Sequence, residues 1–218
     1  MNLDEHIARM AHGLSSPPRL RLLVHLQQRP ASVSELAERI GASTASTSAH
    51  LDSLLGSGLV ARRKEGRRAI YSLAPHVDGV VAALRLAVEH NVPAAREVLR
   101  GDAEDHPWMT TVGFDRLLGL LAEDEAVVLD VRDAEEHRAG HLPGARCLPM
   151  VALSAALPTL DPARPIYVYC RGPYCPNTRA AVELLRGSGY EAWGVRAGIG
   201  DWRAEGLEPA AVLEGEPS

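Results

Sequence analysis

The sequence predicts two domains in tandem: a mainly α winged helix-turn-helix at the front and an α/β domain with a parallel sheet behind it. Three observations carry this. Short amphipathic helical patterns fill residues 1–57 and give way to a basic hairpin over 59–73. Beyond residue 110, wholly apolar strand-length runs alternate with helical patterns, as in a sheet covered on both faces. Charge divides the same way: residues 1–75 carry ten Lys/Arg against six Asp/Glu, and residues 101–218 carry ten against nineteen. A basic front and an acidic back suggest a nucleic-acid-facing module joined to something else.

Leu3, Ile7, Met10 and Leu14 recur at helical spacing. Pro17-Pro18 opens a second helix, Arg19 to Gln28, with proline in the permitted first turn. Ser32 or Ser34 caps a short helix through Ile40, and Glu35 completes a capping box with Ser32. After Gly41, Ser43 caps a longer helix to about Ser57, with Thr47, Leu51, Leu54 and Leu55 on a buried face. Two strands follow, Leu59–Arg63 and Arg68–Leu73, turning at Lys64-Glu65-Gly66-Arg67, where Gly66 is free to take positive φ. A helix runs from about His76 towards Leu99, with a break expected at Pro93.

The polar stretch 100–109 reads as a linker, which places the front domain at 1–99 and the back domain at 110–212. The back domain then reads as helix Phe114–Ala122, strand Ala126–Leu129 and helical turn Ala134–Arg138, followed by a short strand near Ala145–Leu148. Helix Val151–Leu157, strand Ile166–Tyr169, helix Asn177–Arg186, strand Glu191–Val195 and helix Gly198–Glu205 complete it.

Composition narrows the class. The chain has 218 residues, 46% hydrophobic but only 4% aromatic, so its cores are built mostly from Leu, Val and Ala. Three cysteines, an odd number, with an acidic N-terminus that lacks an apolar leader, point to the reduced cytoplasm rather than a disulfide scaffold. No apolar stretch is long enough to span a bilayer, so no membrane partner is expected.

The front module has the parts of a DNA reader. Two short helices, a turn through Gly41-Ala42-Ser43 and a longer helix form a helix-turn-helix, and the basic hairpin forms its wing. The candidate DNA-contacting residues are Ser43, Thr44, Ser46, Thr47, Ser48 and His50 on the second helix, with Arg63, Lys64, Arg67 and Arg68 on the wing. Arg62 adds to the wing's charge. Short hydroxyls permit close approach to base edges, while the wing cations suit phosphates and make binding salt-dependent.

This stretch resembles the ArsR-type winged helix of bacterial regulators, over roughly residues 3–95. The likeness lies in Pro18–Leu23, Ser34-Glu35-Leu36-Ala37, Ser48-Ala49-His50-Leu51, Leu54–Val60 and the wing Arg63–Tyr71. It implies a homodimer, paired through the first helix and the 76–99 helix and reading a two-fold operator in double-stranded DNA. Relatives often sense metal, but the helix Val33–Ile40 here has no cysteine, so a thiolate metal site there is excluded. His76, Asp78, Glu89 and His90 on the last helix read as solvated surface. Neither a metal nor a cofactor is expected.

In the back domain the informative stretch is Cys170-Arg171-Gly172-Pro173-Tyr174-Cys175, between an apolar strand and a helix. A cysteine there sits among converging backbone N–H groups at the positive end of a helix, which favours the thiolate. Leu129–Asp133, Glu136-His137, Gly140–Ala145, Val168-Tyr169-Cys170 and Gly198–Trp202 together resemble the rhodanese domain, over about residues 110–210. The resemblance implies that Cys170 accepts sulfane sulfur as a persulfide. Arg171 would attract an anionic donor, with Gly172, Tyr174 and Arg132 at the pocket.

The loop departs from the common rhodanese pattern in ending on Cys175-Pro176, and Pro173 and Pro176 each remove a backbone donor. Cys175 either closes a bridge to Cys170 or packs the loop. Asp130, Arg132 and Glu136 are expected on the far rim of the sheet, with Arg132 paired to Glu136. His141 is expected to hydrogen-bond its turn, and Cys147 to be buried and inert.

These readings combine in a dimeric DNA-binding regulator that detects reactive sulfur or oxidant through Cys170 or a Cys170–Cys175 bridge. The alternative is a thiosulfate-type sulfurtransferase with an accessory DNA-binding domain. An arsenic-binding cysteine pair is a third reading, borrowed mainly from the name of the front module's relatives.

Overall fold

The computed structural model describes residues 2–95, 108–110, 112–172 and 175–211, and the chain divides into two compact units, residues 1–80 and 81–218. Each unit follows from local signals that agree with its packing.

In the first unit, α1 (Leu3–Leu14) starts at a capping box between Asn2 and Glu5, and α2 (Pro17–Leu26) starts on its two prolines. The two-residue strand β1 (Ala31–Ser32) was not legible in the sequence. The box predicted for α3 (Val33–Ile40) is present: Ser32 accepts from the Glu35 N–H, and Glu35 accepts from the Ser32 N–H at 2.8 Å. Those hydrogen bonds, with Arg29 at 3.0 Å, outweigh desolvation and lower the Glu35 carboxyl to about 2. Ser43 caps α4 (Thr44–Gly56), its side chain accepting from the Ser46 N–H.

Strands β2 (Val60–Glu65) and β3 (Arg68–Leu73) form the antiparallel wing, and β1 pairs with the other edge of β3, Ala31 opposite Tyr71. Leu22, Leu23, Leu36, Leu51, Leu54 and Leu59, all inaccessible to solvent, fill the space between the helices and this sheet. Six such leucines at about 2 kcal/mol each supply the apolar drive of the unit. Helix α5 (Val77–Asn91) runs past the end of this unit and stops before Pro93, as the break there predicts. Positions 96–99 of the longer predicted helix, and 100–107 of the linker, lie outside the described residues.

The second unit is a five-stranded parallel sheet in the order β4-β8-β7-β5-β6. Its strands are β4 (Met109–Thr110), β5 (Val127–Asp130), β6 (Arg146–Cys147), β7 (Ile166–Tyr169) and β8 (Ala192–Val195). Its helices are α6 (Phe114–Ala122), α7 (Ala134–Ala139), α8 (Met150–Ala156), α9 (Pro176–Gly187) and α10 (Ile199–Ala204). Met109, read as the end of the linker, instead belongs to the edge strand β4, opposite Gly194.

The pleat sorts side chains to two layers. Ile166, Val168 and Cys170 point into one cluster with Leu153, Ala181, Val182 and Leu185 from α8 and α9. Tyr169 and Val128 point into the other, with Phe114, Leu117, Ile199 and Trp202 from α6 and α10. In parallel register Asp130 lies opposite Tyr169. The ends of β5 and β7 therefore share one edge, where sheets of this kind place their sites.

Candidate functional site

That shared edge carries two linked constellations. The first is a buried charge network at the end of β5. The Asp130 carboxylate accepts from Arg132 Nε at 2.9 Å and Nη2 at 2.5 Å, from His137 Nδ1 at 3.0 Å and from the Tyr169 hydroxyl at 2.7 Å. Burial raises its pKa, but these donors prevail and hold it well below the usual carboxylate range. Arg132 also donates to the Gly140 carbonyl at 2.8 Å and has no exposed side-chain surface. It is a fully buried cation of this network. His141 stacks on His137 and bonds the His137 carbonyl at 2.9 Å, the turn contact expected of it.

Arg132, expected to pair with Glu136, bonds the Asp130 carboxylate and the Gly140 carbonyl. Glu136, fully buried, instead accepts both arms of Arg171, at 2.8 and 2.6 Å. Asp130, Arg132 and Glu136 thus lie on the same edge as the cysteine loop and not on a far rim. Arg171 is committed to Glu136, with Asp133 a further contact at 3.5 Å, so its charge organises the loop before it can attract a donor.

The second constellation is the thiol pair. Cys170 follows β7 directly, and Cys175 is the N-cap of α9, whose first helical residue is Pro176. The two sulfurs are 2.8 Å apart, close enough to share one proton. Gly172 holds φ 147°, in the region that favours glycine, and its carbonyl accepts from the Cys175 N–H at 3.1 Å. From the far side Gly198 presses on the loop: a Cβ there would lie 2.9 Å from the Arg171 carbonyl carbon and from Gly172 N.

The two thiols ionise as a pair, and their surroundings differ. The contact with Cys175, followed by burial, pushes the Cys170 thiol well above its ordinary value. Cys170 is completely inaccessible to solvent. Cys175 is partly exposed, and its thiol is lowered to about 6, first by the hydrogen bond with Cys170 and, against desolvation, by the backbone N–H groups of Asn177 and Arg171. Cys147, half-buried on β6, has its thiol raised by burial. Tyr174, expected at the pocket mouth, and Pro173 lie outside the described residues.

In the first unit Ser43, Thr44 and Ser46 are exposed on the first turn of α4 or just before it, and Ser48 and His50 are partly exposed. Arg62, Arg63, Lys64, Arg67 and Arg68 project from the wing into solvent, with Arg63 also 3.5 Å from Glu65. Thr47 is the exception. It has no exposed surface and its hydroxyl has no hydrogen-bond partner, so it belongs to the core and cannot touch DNA in this fold. Its helical spacing with Leu51 and Leu54 is the signal that separates it from its hydroxyl neighbours.

On α5, Asp78 accepts from Gln27 at 3.0 Å, and Glu89 pairs with Arg85 and with Arg196 at 2.7 Å, so both carboxylates are engaged in ion pairs or hydrogen bonds. Within the second unit Arg85 also pairs with Asp201, whose other oxygen accepts from the Gly198 N–H at 2.9 Å. Among the described residues, no helix is long and apolar enough to cross a membrane.

Comparison with known proteins agrees with this division. Residues 16–62 match the bacterial regulatory protein, arsR family, and residues 114–205 match the rhodanese-like domain. The HTH-type transcriptional regulator Rv0324 of Mycobacterium tuberculosis is 34% identical over 220 residues, covering 99% of this chain and 93% of that protein. The thiosulfate sulfurtransferase GlpE of Pseudomonas putida is 30% identical over 102 residues, 46% of this chain and 89% of its own. Among solved structures, the homodimeric winged helix-turn-helix DNA-binding domain of Mb0332 from Mycobacterium bovis covers 42% of this chain and 86% of its own, at 29% identity and TM-score 0.40.

Proposed function

We infer that this chain, which belongs to the arsR-family HTH-type transcriptional regulators with a C-terminal rhodanese-like domain, uses that domain to sense reactive sulfur or oxidant and so to control its hold on DNA. The observation that carries the reading is the pair of thiols 2.8 Å apart at the C-terminal edge of the sheet, in a loop pinned by Arg171–Glu136 and Gly198. A dithiol so placed changes covalent state on contact with a sulfane-sulfur donor or an oxidant, as a persulfide or as a bridge. Pro173 and Pro176 each remove a backbone donor from the loop that carries it, which suits a switch more than rapid turnover.

The regulator acts as a homodimer on double-stranded operator DNA in the cytoplasm. Supporting the dimer, α1 exposes Leu3 and Ile7, and α5 exposes Leu84, Leu86 and Val88, apolar side chains that a second copy would cover. The wing cations position the protein on phosphates, and the exposed hydroxyls of α4 approach base edges.

The test is direct. Operator duplexes selected from a random-sequence pool are bound by reduced and by polysulfide-treated protein, alongside the Cys170→Ser variant. Treatment is expected to change wild-type affinity about tenfold, within the usual range of coupling energies, and to leave the variant unchanged. An identical response from both proteins removes the sensor role.

A second reading, sulfurtransferase chemistry with DNA binding as an accessory, draws on Cys170 at the strand end and on the similarity to GlpE. A steady-state thiosulfate–cyanide assay separates the two. Robust turnover that survives Cys175→Ser would favour the enzyme.

A further inference from the structure

We propose that the charge network Asp201–Arg85–Glu89–Arg196 is the link through which the covalent state of the cysteine loop sets the hold on helix α5. The proposal rests on the sulfur-sensing reading above and makes Arg85 and Glu89 positioning residues, acting through the loop 196–201.

Helix α5 begins within the first unit, where Val77 is buried and Asp78 accepts from Gln27 at 3.0 Å, and its later turns belong to the second. Arg85 and Glu89 stand one turn apart on one stripe of the helix. Arg85 Nη2 donates to Asp201 Oδ1, its Nε lies 3.6 Å from Glu89 Oε1, and Arg196 Nη2 donates to Glu89 Oε2 at 2.7 Å. Asp201 and Glu89 each keep only 9% of their surface exposed, so water and salt screen this network less than an ordinary surface pair. The loop 196–201 is thus tied to α5 at both ends. Its middle is packed on the cysteine loop. Gly198 donates its N–H to Asp201 Oδ2 at 2.9 Å and sits so close to Arg171 and Gly172 that a Cβ would lie 2.9 Å from their backbone. One carboxylate, Asp201, therefore holds α5 with one oxygen and caps Gly198 with the other.

That arrangement leaves no slack. A thiolate of the pair attacks the terminal sulfur of a persulfide R–S–SH; the donor S–S bond breaks, R–S⁻ leaves, and the loop gains one sulfur atom. The added atom must be housed beside Arg171 and Gly172, whose backbone Gly198 already meets at contact distance. Movement of Gly198 turns its bond to Asp201, and Asp201 then cannot keep both partners in place. Arg85 is released, and the stripe of α5 with it. The neighbouring stripe carries Leu84 and Val88, exposed apolar side chains that the proposed dimer covers. A shift of α5 therefore reaches the pairing of two copies and the spacing of their DNA-reading helices. The coupling is reciprocal: whatever changes the hold on α5 also changes the reactivity of the thiols.

Amide hydrogen exchange of the full-length protein, followed by peptide mass, reads the hold on α5 directly. Peptides over residues 84–91 should exchange about tenfold faster after treatment with glutathione persulfide than in reduced wild type. Arg85→Gln should exchange at the treated level before treatment and gain nothing from it. Arg85→Lys, which keeps the charge, should respond as wild type does. In the reverse direction, Arg85→Gln should change the iodoacetamide alkylation rate of the loop cysteines in untreated protein, with Arg85→Lys again at the wild-type rate. A wild-type response from Arg85→Gln in either assay would overturn the link. So would unchanged exchange over α5 in wild type whose loop cysteines carry the added sulfur. Absence of sulfur uptake sinks sensing, and the alkylation rates then decide the link. Operator binding on the same samples separates the claims: faster exchange with unchanged DNA affinity sinks sensing alone, and altered affinity with unchanged exchange sinks the link alone.

Discussion

Arg171 Nε meets Glu136 Oε1 at 2.8 Å and its Nη2 meets Oε2 at 2.6 Å, a two-armed pair across 35 residues of sequence. The carboxylate is fully buried and the guanidinium about one-fifth exposed, so neither partner can be replaced by water at low cost. This pair fixes the residue next to Cys170 to α7 and makes the cysteine loop part of the folded frame.

Removing Glu136 should therefore act on stability and on thiol chemistry together. Glu136→Ala strands a largely buried cation and should cost about 3 kcal/mol, read by urea denaturation. It should also loosen the loop and raise the alkylation rate of Cys170 relative to Cys175. Unchanged stability would show that Arg171 finds an equivalent partner in Asp133.

Acid should dismantle the network around Asp130. Its folded pKa lies below the ordinary carboxylate value, so its stabilising contribution is complete above about pH 4 and disappears as pH falls through the folded value. Denaturation midpoints of wild type should fall between pH 5 and pH 3 by more than those of Asp130→Asn (both pH values approximate, from the unperturbed range). At neutral pH the variant should already be about 3–5 kcal/mol weaker, because buried Arg132 loses its counter-charge.

Gly198 has an ordinary φ, so its requirement is space alone. Gly198→Ala puts a Cβ at 2.9 Å from the loop backbone, and backbone yields less readily than a side-chain end. A loss of about 1–3 kcal/mol is expected in thermal unfolding, with changed labelling of the thiol pair. Full wild-type stability together with wild-type labelling would remove Gly198 as a support of the loop.

In the first unit two substitutions separate core from interface. Thr47→Val removes an unpaired buried hydroxyl and should leave stability equal or higher, with operator affinity unchanged. Arg67→Ala should weaken all duplexes alike and lower the salt slope of binding by about 1. A salt slope unaffected by Arg67→Ala would place the wing away from phosphates.

Most elements were legible because several levels agreed. The Ser32–Glu35 box, the proline-led α2 and α9, and the apolar runs of β5 and β7 each carry a local signal that packing reinforces. The two-residue strands β1 and β4 have too little pattern to show periodicity, and only pairing with β3 and β8 reveals them. Arg132, expected to pair with Glu136, precedes α7 and is bonded by Asp130, two residues back at the end of β5. The loop and its second thiol were visible in the sequence. That the two sulfurs lie 2.8 Å apart was not, since that depends on how the start of α9 meets the end of β7.

The contact of Met109 with Gly194 reaches beyond pairing, because Trp108 lies over the same glycine and its carbonyl accepts from the Gly194 N–H at 2.7 Å. A truncated protein begun at Val112 would strip that cover and leave β8 with an uncapped flank. Such bare strand borders invite self-association. Isolating the rhodanese-like half in monomeric form thus requires retaining the tryptophan upstream of its first helix.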